Sequence, residues 1–577
     1  MLDLEHSPVK SFFLGQIVEQ NIFPFPSKNS EQSETLRIVL DSIDKFMTSN
    51  EKELAEFDRD NSYSDEYLEK LKELGLFGLI IPEEYDGLGF SNAAYSRVMQ
   101  QVSRYDGATA VTIGAHSSIG IKGLLLYGNE AQKRKYLPKL ATGELIGAFC
   151  LTEANAGSDA ASLRTTATKD SNGNWILNGE KIWISNSPFA GFFTVFARTS
   201  SEGGKLSAFI VEREFSGVSI GKKEDKMGIR ASATASVSFD NVKVPAENLL
   251  GEEGKGFKIA VSILNNGRTG LGGGCIGGIK RCIELASQYS SERKQFDKSI
   301  CEFGLVKEKL ANMMVDCFAT ESVVTMTAHY IDSNMQDYSL EAAIAKVFAS
   351  EALWRSANEA MQIAGGNGYM KEYPYEKIVR DSRINIIFEG TNEILRLFIA
   401  LSGMRDAGEF LKGVSKSAIN FLNDPIKGFG VLSQYASKKF VHFTSLGRDK
   451  IESIHPSLKE EAEIFEVHTL ELSKVTESCL RKYGKNIVEQ QFIMKRLADV
   501  AIELFAGLCV LSRVTSMINE SSEEKCEKEI AIARIFSHRA KINISQSLKD
   551  AEHNKDFLKE KLADFISTEQ AYPWDTI

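Results

Sequence analysis

The sequence predicts an α+β protein: an N-terminal helical domain, a middle antiparallel β-domain, a helical bundle domain and a C-terminal helical extension. Three observations predict it. From about Ser30 to Phe149 the apolar residues follow helical spacing. Between about 150 and 250 the texture changes to short runs rich in Val, Ile, Phe and Trp. From about 257 helical texture returns and persists to the end. Blocks of helix, sheet and helix, without alternation, exclude a βαβ arrangement. The expected divisions are residues 1–27, irregular; 28–148, helical; 149–256, β; 257–402, helical bundle; and 403–577, additional helices.

Within these blocks the signals are local. Leu71, Leu74, Phe77 and Leu79 cluster at helical spacing, and Ile81-Pro82 ends that segment. WILNGEKIWIS, FFTVFAR, LSAFIVER and SVSFDNVKV read as strands. Asn178-Gly179 is expected to turn a hairpin between two of them.

At 577 residues, 43% hydrophobic and 25% charged, the chain is ordinary globular material for several domains. A net charge of -10 argues against nucleic-acid binding, which needs clustered Lys and Arg. Eight scattered cysteines, none spaced C-x-x-C, read as reduced thiols, and no metal site is expected. No window reaches the roughly 18 apolar residues of a membrane span. The N-terminus lacks a secretory or Arg-rich transit pattern, so a bacterial-type cytoplasmic setting is expected over a mitochondrial one.

Two features are decoys. Residues 270–278, GLGGGCIGG, invite a dinucleotide fingerprint, but the preceding KIAVSILNNGRT reads as helix, so close helix packing is the better reading. His116 has no second ligand at metal spacing and reads as a satisfied structural histidine.

Four segments carry chemistry: AFCLTEANAGSDA (148–160), KIWISN (181–186), the pair ERKQF (292–296) and QIAGGNGY (362–369), and RDSRINIIFEGTNEILR (380–396). In this order they resemble the acyl-CoA dehydrogenase family. The likeness runs from about 28 to 402. The form IFEGTNEILRLFIAL, the stretch GAHSSIGIKG and the C-terminal segment are most similar to its very-long-chain branch. The resemblance implies FAD-dependent conversion of a long-chain acyl-CoA to its trans-2-enoyl form in fatty acid β-oxidation. Electrons would leave to an electron-transfer flavoprotein.

That reaction needs a base for a weakly acidic α-proton, a hydride acceptor facing Cβ, and stabilisation of the thioester oxygen. Glu389 lies among apolar Ile386, Ile387 and Phe388, which would desolvate it and raise its pKa. Gly390 admits close approach of substrate. Taken alone, Glu389 would read as a cap for a helix starting near Thr391. Some family branches place the base just before the arginine matching Arg268. Here that stretch is Asn265-Asn266-Gly267-Arg268, without a carboxylate. The resemblance therefore puts the base at Glu389, and Asn265 to Arg268 near the substrate with Gly390.

For FAD, the resemblance implies Leu151, Thr152 and Ser158, the last also near substrate, and Trp183, Ile184 and Ser185 against the ring. Trp183 alone would read as a core strand aromatic. Arg293, Gln295 and Phe296, then Gln362, Ile363, Ala364, Gly365 and Gly366, match segments reaching FAD from the partner of a homodimer. Thr391, Asn392 and Glu393 complete the set. A family histidine-glutamine pair is replaced by Phe303-Gly304.

A long tail needs an open channel, and Gly114 and Gly120 are expected to leave one. The stretch 410–440 mixes apolar residues with lysines and one aspartate. It reads equally as a peripheral membrane contact or as a solvated helix pair. Competing readings of the whole are a respiratory-complex assembly protein with the same fold, and an acyl-CoA oxidase.

Overall fold

A computed structural model describes residues 2–27, 32–199, 205–421 and 449–576, with side chains except at 406 and 409–421. The stretch 422–448, and with it most of the expected membrane segment, lies outside the described residues. The chain divides into two compact units, Met1–Phe25 with Leu395–Ile577, and Pro26–Ile394.

The N-terminal residues, expected to be irregular, contain α1 (Pro8–Phe12), capped by Ser7, whose hydroxyl accepts from the Lys10 amide at 3.2 Å. The segment is ordered by burial: Val9, Phe12, Phe13 and Ile22 have almost no exposure.

In the second unit the leading helices are α2 (Ser33–Ser49), α3 (Glu51–Asp60), α4 (Asp65–Glu73), α5 (Asn92–Tyr105), α6 (Gly107–Gly114), α7 (Lys122–Tyr127) and α8 (Glu130–Ala141). Side-chain oxygens accept first-turn amides at Ser64, Ser91, Asp106 and Asn129. Helix α4 stops earlier than the spacing of Leu71 to Leu79 predicts. Gly75 takes φ +70°, and the Leu76 amide bonds back to the Leu71 carbonyl at 3.2 Å. Phe77 and Leu79 are buried beyond the helix end, so they serve the core without helical geometry. Between α6 and α7 the chain forms a π-type turn, Ala115–Gly120.

The β-domain holds β1 (Gly147–Cys150), β2 (Thr166–Lys169), β3 (Trp175–Ser185), β4 (Phe192–Arg198), β5 (Leu206–Glu212), β6 (Val218–Ile220), β7 (Thr234–Val244) and β8 (Leu249–Leu250). Their order is β6-β7-β3-β2-β4-β5-β8, with β1 beside β4. Pairing is antiparallel except that β4 takes β1 and the end of β2 in parallel. Apart from terminal Arg198 and Glu212, β4 and β5 are buried at every residue, hence their continuous apolar runs.

The hairpin expected at Asn178-Gly179 does not exist. Strand β3 runs through it, and the β2–β3 turn falls at 170–174, where Asp170 accepts the Asn172 and Asn174 amides. Gly179 instead sits at a register shift against β7, at φ +149°. A Cβ there would meet the Thr165 Cα at 2.8 Å. The glycine answers a close backbone approach, not a chain reversal.

Helices α9 (Gly256–Glu292), α10 (Gly304–Asp332) and α11 (Ser339–Ala364) pack as a bundle, followed by α12 (Tyr375–Arg383) and α13 (Asn392–Phe421). The glycine run in α9 is helical, as expected. A Cβ at Gly273 or Gly277 would come within 2.5 or 2.1 Å of the Ser96 or Gln100 carbonyl oxygen of α5.

In the first unit, α14 (Lys459–Tyr483), α15 (Gln491–Glu520), α16 (Glu527–Glu552) and α17 (Asp556–Glu569) follow. Helix α15 forms its core, and Gly507 admits the Phe465 ring of α14. The N-terminal segment belongs here: the Ile17 amide donates to Asp449 at 2.9 Å, and Ser512 to the Ile22 carbonyl at 2.5 Å. Among the described residues, no helix is long and apolar enough to cross a membrane.

Replacing Gly277 with valine should lower stability by about 1–3 kcal/mol through overpacking against α5. Gly304→Ala, whose Cβ would meet nothing within 4 Å, should change it by less than about 0.5 kcal/mol. Denaturant midpoints of the two variants check this.

Candidate active site

A cavity of about 960 Å³ opens within the second unit. One wall is α6 and the π-type turn, through Gly114, Ala115 and Ser118. Beside it α9 lines the cavity through Gly267, Gly270, Gly274 and Gly278. Phe388 and Glu389 line it from the loop before α13, and Ser185 from the end of β3.

Glu389 adopts φ +60° and Gly390 φ +90°, a left-handed kink that an ordinary residue enters only at a cost. Its Oε2 is enclosed and has no hydrogen-bond partner. Burial raises its pKa above the usual carboxylate range; Arg268 and Lys346 pull against that shift. Glu389 does not cap α13. Thr391 does, its hydroxyl accepting from the Ile394 amide at 3.3 Å.

Lys346, on α11, holds the kink. Its buried ammonium donates to the Gly390 carbonyl and to the Asn392 side-chain oxygen, both at 2.8 Å. Burial lowers its pKa to about 8. The sequence reading missed Lys346; its signal is one lysine inside the apolar run AAIAKVF. Asn392, expected at the cofactor, is itself buried, and its amide nitrogen donates to Ser350 and Glu351. Those bonds commit its side chain to the protein interior.

Gly267 lines the cavity, while Arg268 is 7% exposed with an unpartnered Nε. Its Nη1 donates to Asn265 at 2.5 Å, and burial brings its pKa down to about 10. Asn266 donates to Tyr338 at 3.2 Å and keeps an unpartnered oxygen. Of the two channel glycines expected, Gly114 lines the cavity. Gly120 does not: a Cβ there would meet the Ala115 carbonyl and the Gly147 backbone, so it serves packing against β1.

Around β3, Lys181 is fully buried, donating to Glu153 at 2.7 Å and to the Leu151 carbonyl at 3.1 Å. The Thr152 carbonyl accepts from the Ile182 amide at 3.0 Å. This fixes the Leu151–Thr152 turn beside β3. Trp183 is 65% exposed at φ +57°, turned out of the sheet, so it is not the core aromatic of the bland reading. Its neighbour Ile184 is core. An exposed indole face, with Ser185 beyond it on the cavity wall, fits a planar ring system such as a flavin. Ser158 and Gly157 lie in an exposed loop.

Arg293, Gln295, Phe296, Gln362, Gly365, Gly366 and Glu393 are exposed and do not line the cavity. Ile363 and Ala364 are buried beneath them. Phe303 meets the Phe296 ring edge-on at 6.1 Å. His116 is buried; its Nδ1 accepts from the Gly147 amide at 2.9 Å and its Nε2 faces the Phe77 carbonyl at 3.1 Å. Burial lowers its pKa to about 4, so it is a neutral structural residue, as expected.

A buried ion triad also borders the cavity. Lys377 of α12 pairs with Asp106 and Asp381, both at 2.7 Å, and Asp381 accepts from the Ile229 amide at 2.5 Å. It ties α6, α12 and the β-domain together.

Comparison with known proteins bears directly on this site. Residues 33–144, 148–242 and 254–404 match the N-terminal, middle and C-terminal domain models of acyl-CoA dehydrogenase, and 456–571 match the model ACAD9/ACADV, C-terminal domain. The chain is 44% identical to the very long-chain specific acyl-CoA dehydrogenase, mitochondrial, of Rattus norvegicus, over 88% of this chain and 78% of that one. A crystal structure of an acyl-CoA dehydrogenase complexed with FAD from Bacillus anthracis superposes with a TM-score of 0.81 at 34% identity. It covers 98% of this chain and 96% of its own. Butyryl-CoA dehydrogenase from Megasphaera elsdenii gives 0.63 at 38% identity, covering 66% and 100%. The chain belongs to the acyl-CoA dehydrogenase family and is an enzyme of its very-long-chain type.

Lys377→Met would strand Asp106 and Asp381 without their cation. A loss of about 3–5 kcal/mol is expected, measured as a lower thermal unfolding midpoint.

Proposed function

We propose that this enzyme dehydrogenates long-chain acyl-CoA at Cα–Cβ, with Glu389 as the base. One observation carries the reading: a carboxyl oxygen without a partner, enclosed at the wall of a large cavity. A buried polar atom left unsatisfied costs about 1–3 kcal/mol, so its persistence points to a partner supplied by substrate. Desolvation makes the carboxylate a stronger base for a weakly acidic proton. The Glu389 amide belongs to the same kinked turn and is the residue's donor for a developing thioester oxyanion. Arg268 and Lys346 keep enough positive potential nearby for the carboxyl to ionise before it takes the proton.

FAD, when bound, supplies the two-electron acceptor for the β-hydrogen. Trp183, Ser185 and the Leu151–Thr152 turn would hold its ring. The fit rests on the exposed, outward-turned indole. Ser158 would lie near phosphate and substrate. Arg293, Gln295, Phe296 and the Gln362–Gly366 turn would serve the partner subunit's FAD in a homodimer. The exposure of Arg293, Gln295, Gln362, Gly365 and Gly366, with Phe296 at 88%, supports that reading. An electron-transfer flavoprotein is the expected acceptor.

The test is anaerobic addition of palmitoyl-CoA to purified protein. Flavin bleaching is expected, slowed by about 10²–10⁴-fold in Glu389→Gln. Undiminished bleaching in that variant would refute the assignment. In the parent, the rate should fall as pH drops through a pKa above the ordinary carboxylate range, because the base must be unprotonated. Lys346→Met removes a cation that lowers that pKa, so its acidic limb should move to higher pH in a pH–kcat/KM profile.

A further inference from the structure

The glycines of α9 divide by what a side chain would meet. Gly273 and Gly277 face carbonyl oxygens of α5, Gly272 faces Val324, Gly270 faces Ser118 and Tyr95 at 2.7 Å, Gly278 faces Leu353 at 2.8 Å, and Gly267 lies 3.0 Å from the Ser118 carbonyl oxygen, so a Cβ at any of them would be crowded. Gly274 differs: a Cβ there would meet only Ser103, at 4.0 Å, and the position lines the cavity. Gly267, Gly270, Gly274 and Gly278 recur every three or four residues, so they share one helix face. From Gly267 to Gly278 that face runs about 16 Å at 1.5 Å per residue.

An extended chain advances roughly 3.6 Å per three bonds. The face therefore lies alongside about 13 methylenes. Glu389, whose free oxygen marks the reacting end, lines the same cavity. Ser103, Arg104, Tyr105 and Arg281 also line the cavity, together with Leu54 and Leu353. Arg281 pairs with Glu51, also of the lining, at 3.0 Å, and with the Glu51 side chain 61% exposed that ion pair is weak.

We infer that Gly274, on the cavity side of α9, sets the substrate's chain-length range by leaving the channel wall open beyond the middle of the acyl chain. This rests on the acyl-CoA dehydrogenase reading. A side chain at position 274 would occupy space used by long tails, about 10 Å along the helix from Gly267. Shorter tails end before it.

The test is Gly274→Leu in the full-length holoenzyme, with Gly274→Met as a second variant should leucine prevent folding. The readout is the ratio of kcat/KM for palmitoyl-CoA to that for octanoyl-CoA, with the two dissociation constants from titration calorimetry. The ratio should fall about ten-fold or more, the loss of about two buried methylenes, with palmitoyl-CoA binding weakened in parallel. An unchanged ratio, or an equal loss for both substrates, would overturn the inference while leaving the dehydrogenase reading intact. Parent protein whose flavin is bleached by no acyl-CoA would overturn both.

Discussion

The ammonium of Lys346 is the constraint on which the catalytic loop depends. A glutamate at positive φ does not stay in a left-handed kink by local preference; such a non-glycine residue costs about 1–3 kcal/mol. Lys346 reaches from α11 to the Gly390 carbonyl and to Asn392, the first residue of α13. Asn392 is in turn bound to Ser350 and Glu351, also on α11. Two helices thus clamp one turn between them. Glu389 can remain without a hydrogen bond because its backbone, not its carboxyl, is what the protein holds.

The electrostatics follow from the same placement. Three ionisable groups, Glu389, Arg268 and Lys346, share one enclosed region, and burial disfavours the charged form of each. Opposite charge offsets part of that penalty. The balance leaves the carboxylate more basic than in water while two cations keep it ionisable. The Asp106–Lys377–Asp381 triad and the Lys181–Glu153 pair do something different. Their partners are satisfied, and they fix where α6, α12 and the Leu151 turn stand relative to the cavity.

The domain order was legible because it depends on local texture: alternation, continuous apolar runs and cap residues each have a short-range cause. The site loops were reached through their resemblance to a family, since Glu389 in RINIIFEGTNEILR taken alone reads as a helix cap. What was not legible depends on distant neighbours. Asn178-Gly179 has the composition of a hairpin turn, but Thr165 pressing on Gly179 decides otherwise. Asn392 sits inside a motif otherwise read as cofactor-binding, yet its partners on α11 lie over forty residues earlier. Gly120 and Gly114 look alike in sequence; only the strand behind Gly120 separates packing from an open wall. Lys346 was the avoidable miss, since a lysine in a buried apolar run requires a partner.

The α9 glycines show why a composition signal can carry two meanings. An interior helical glycine costs about 1 kcal/mol relative to alanine. At Gly273 and Gly277 the close approach of α5 offsets that cost, since any larger residue would separate the helices. At Gly274 no neighbour comes close enough to offset it. A residue that weakens its helix and gains no packing must be explained by the space it leaves, and that space is the cavity holding Glu389. The run GLGGGCIGG is therefore neither a dinucleotide fingerprint nor simply a packing seam. One helix uses most of its glycines to approach its neighbours and one, Gly274, to stand back from the cavity.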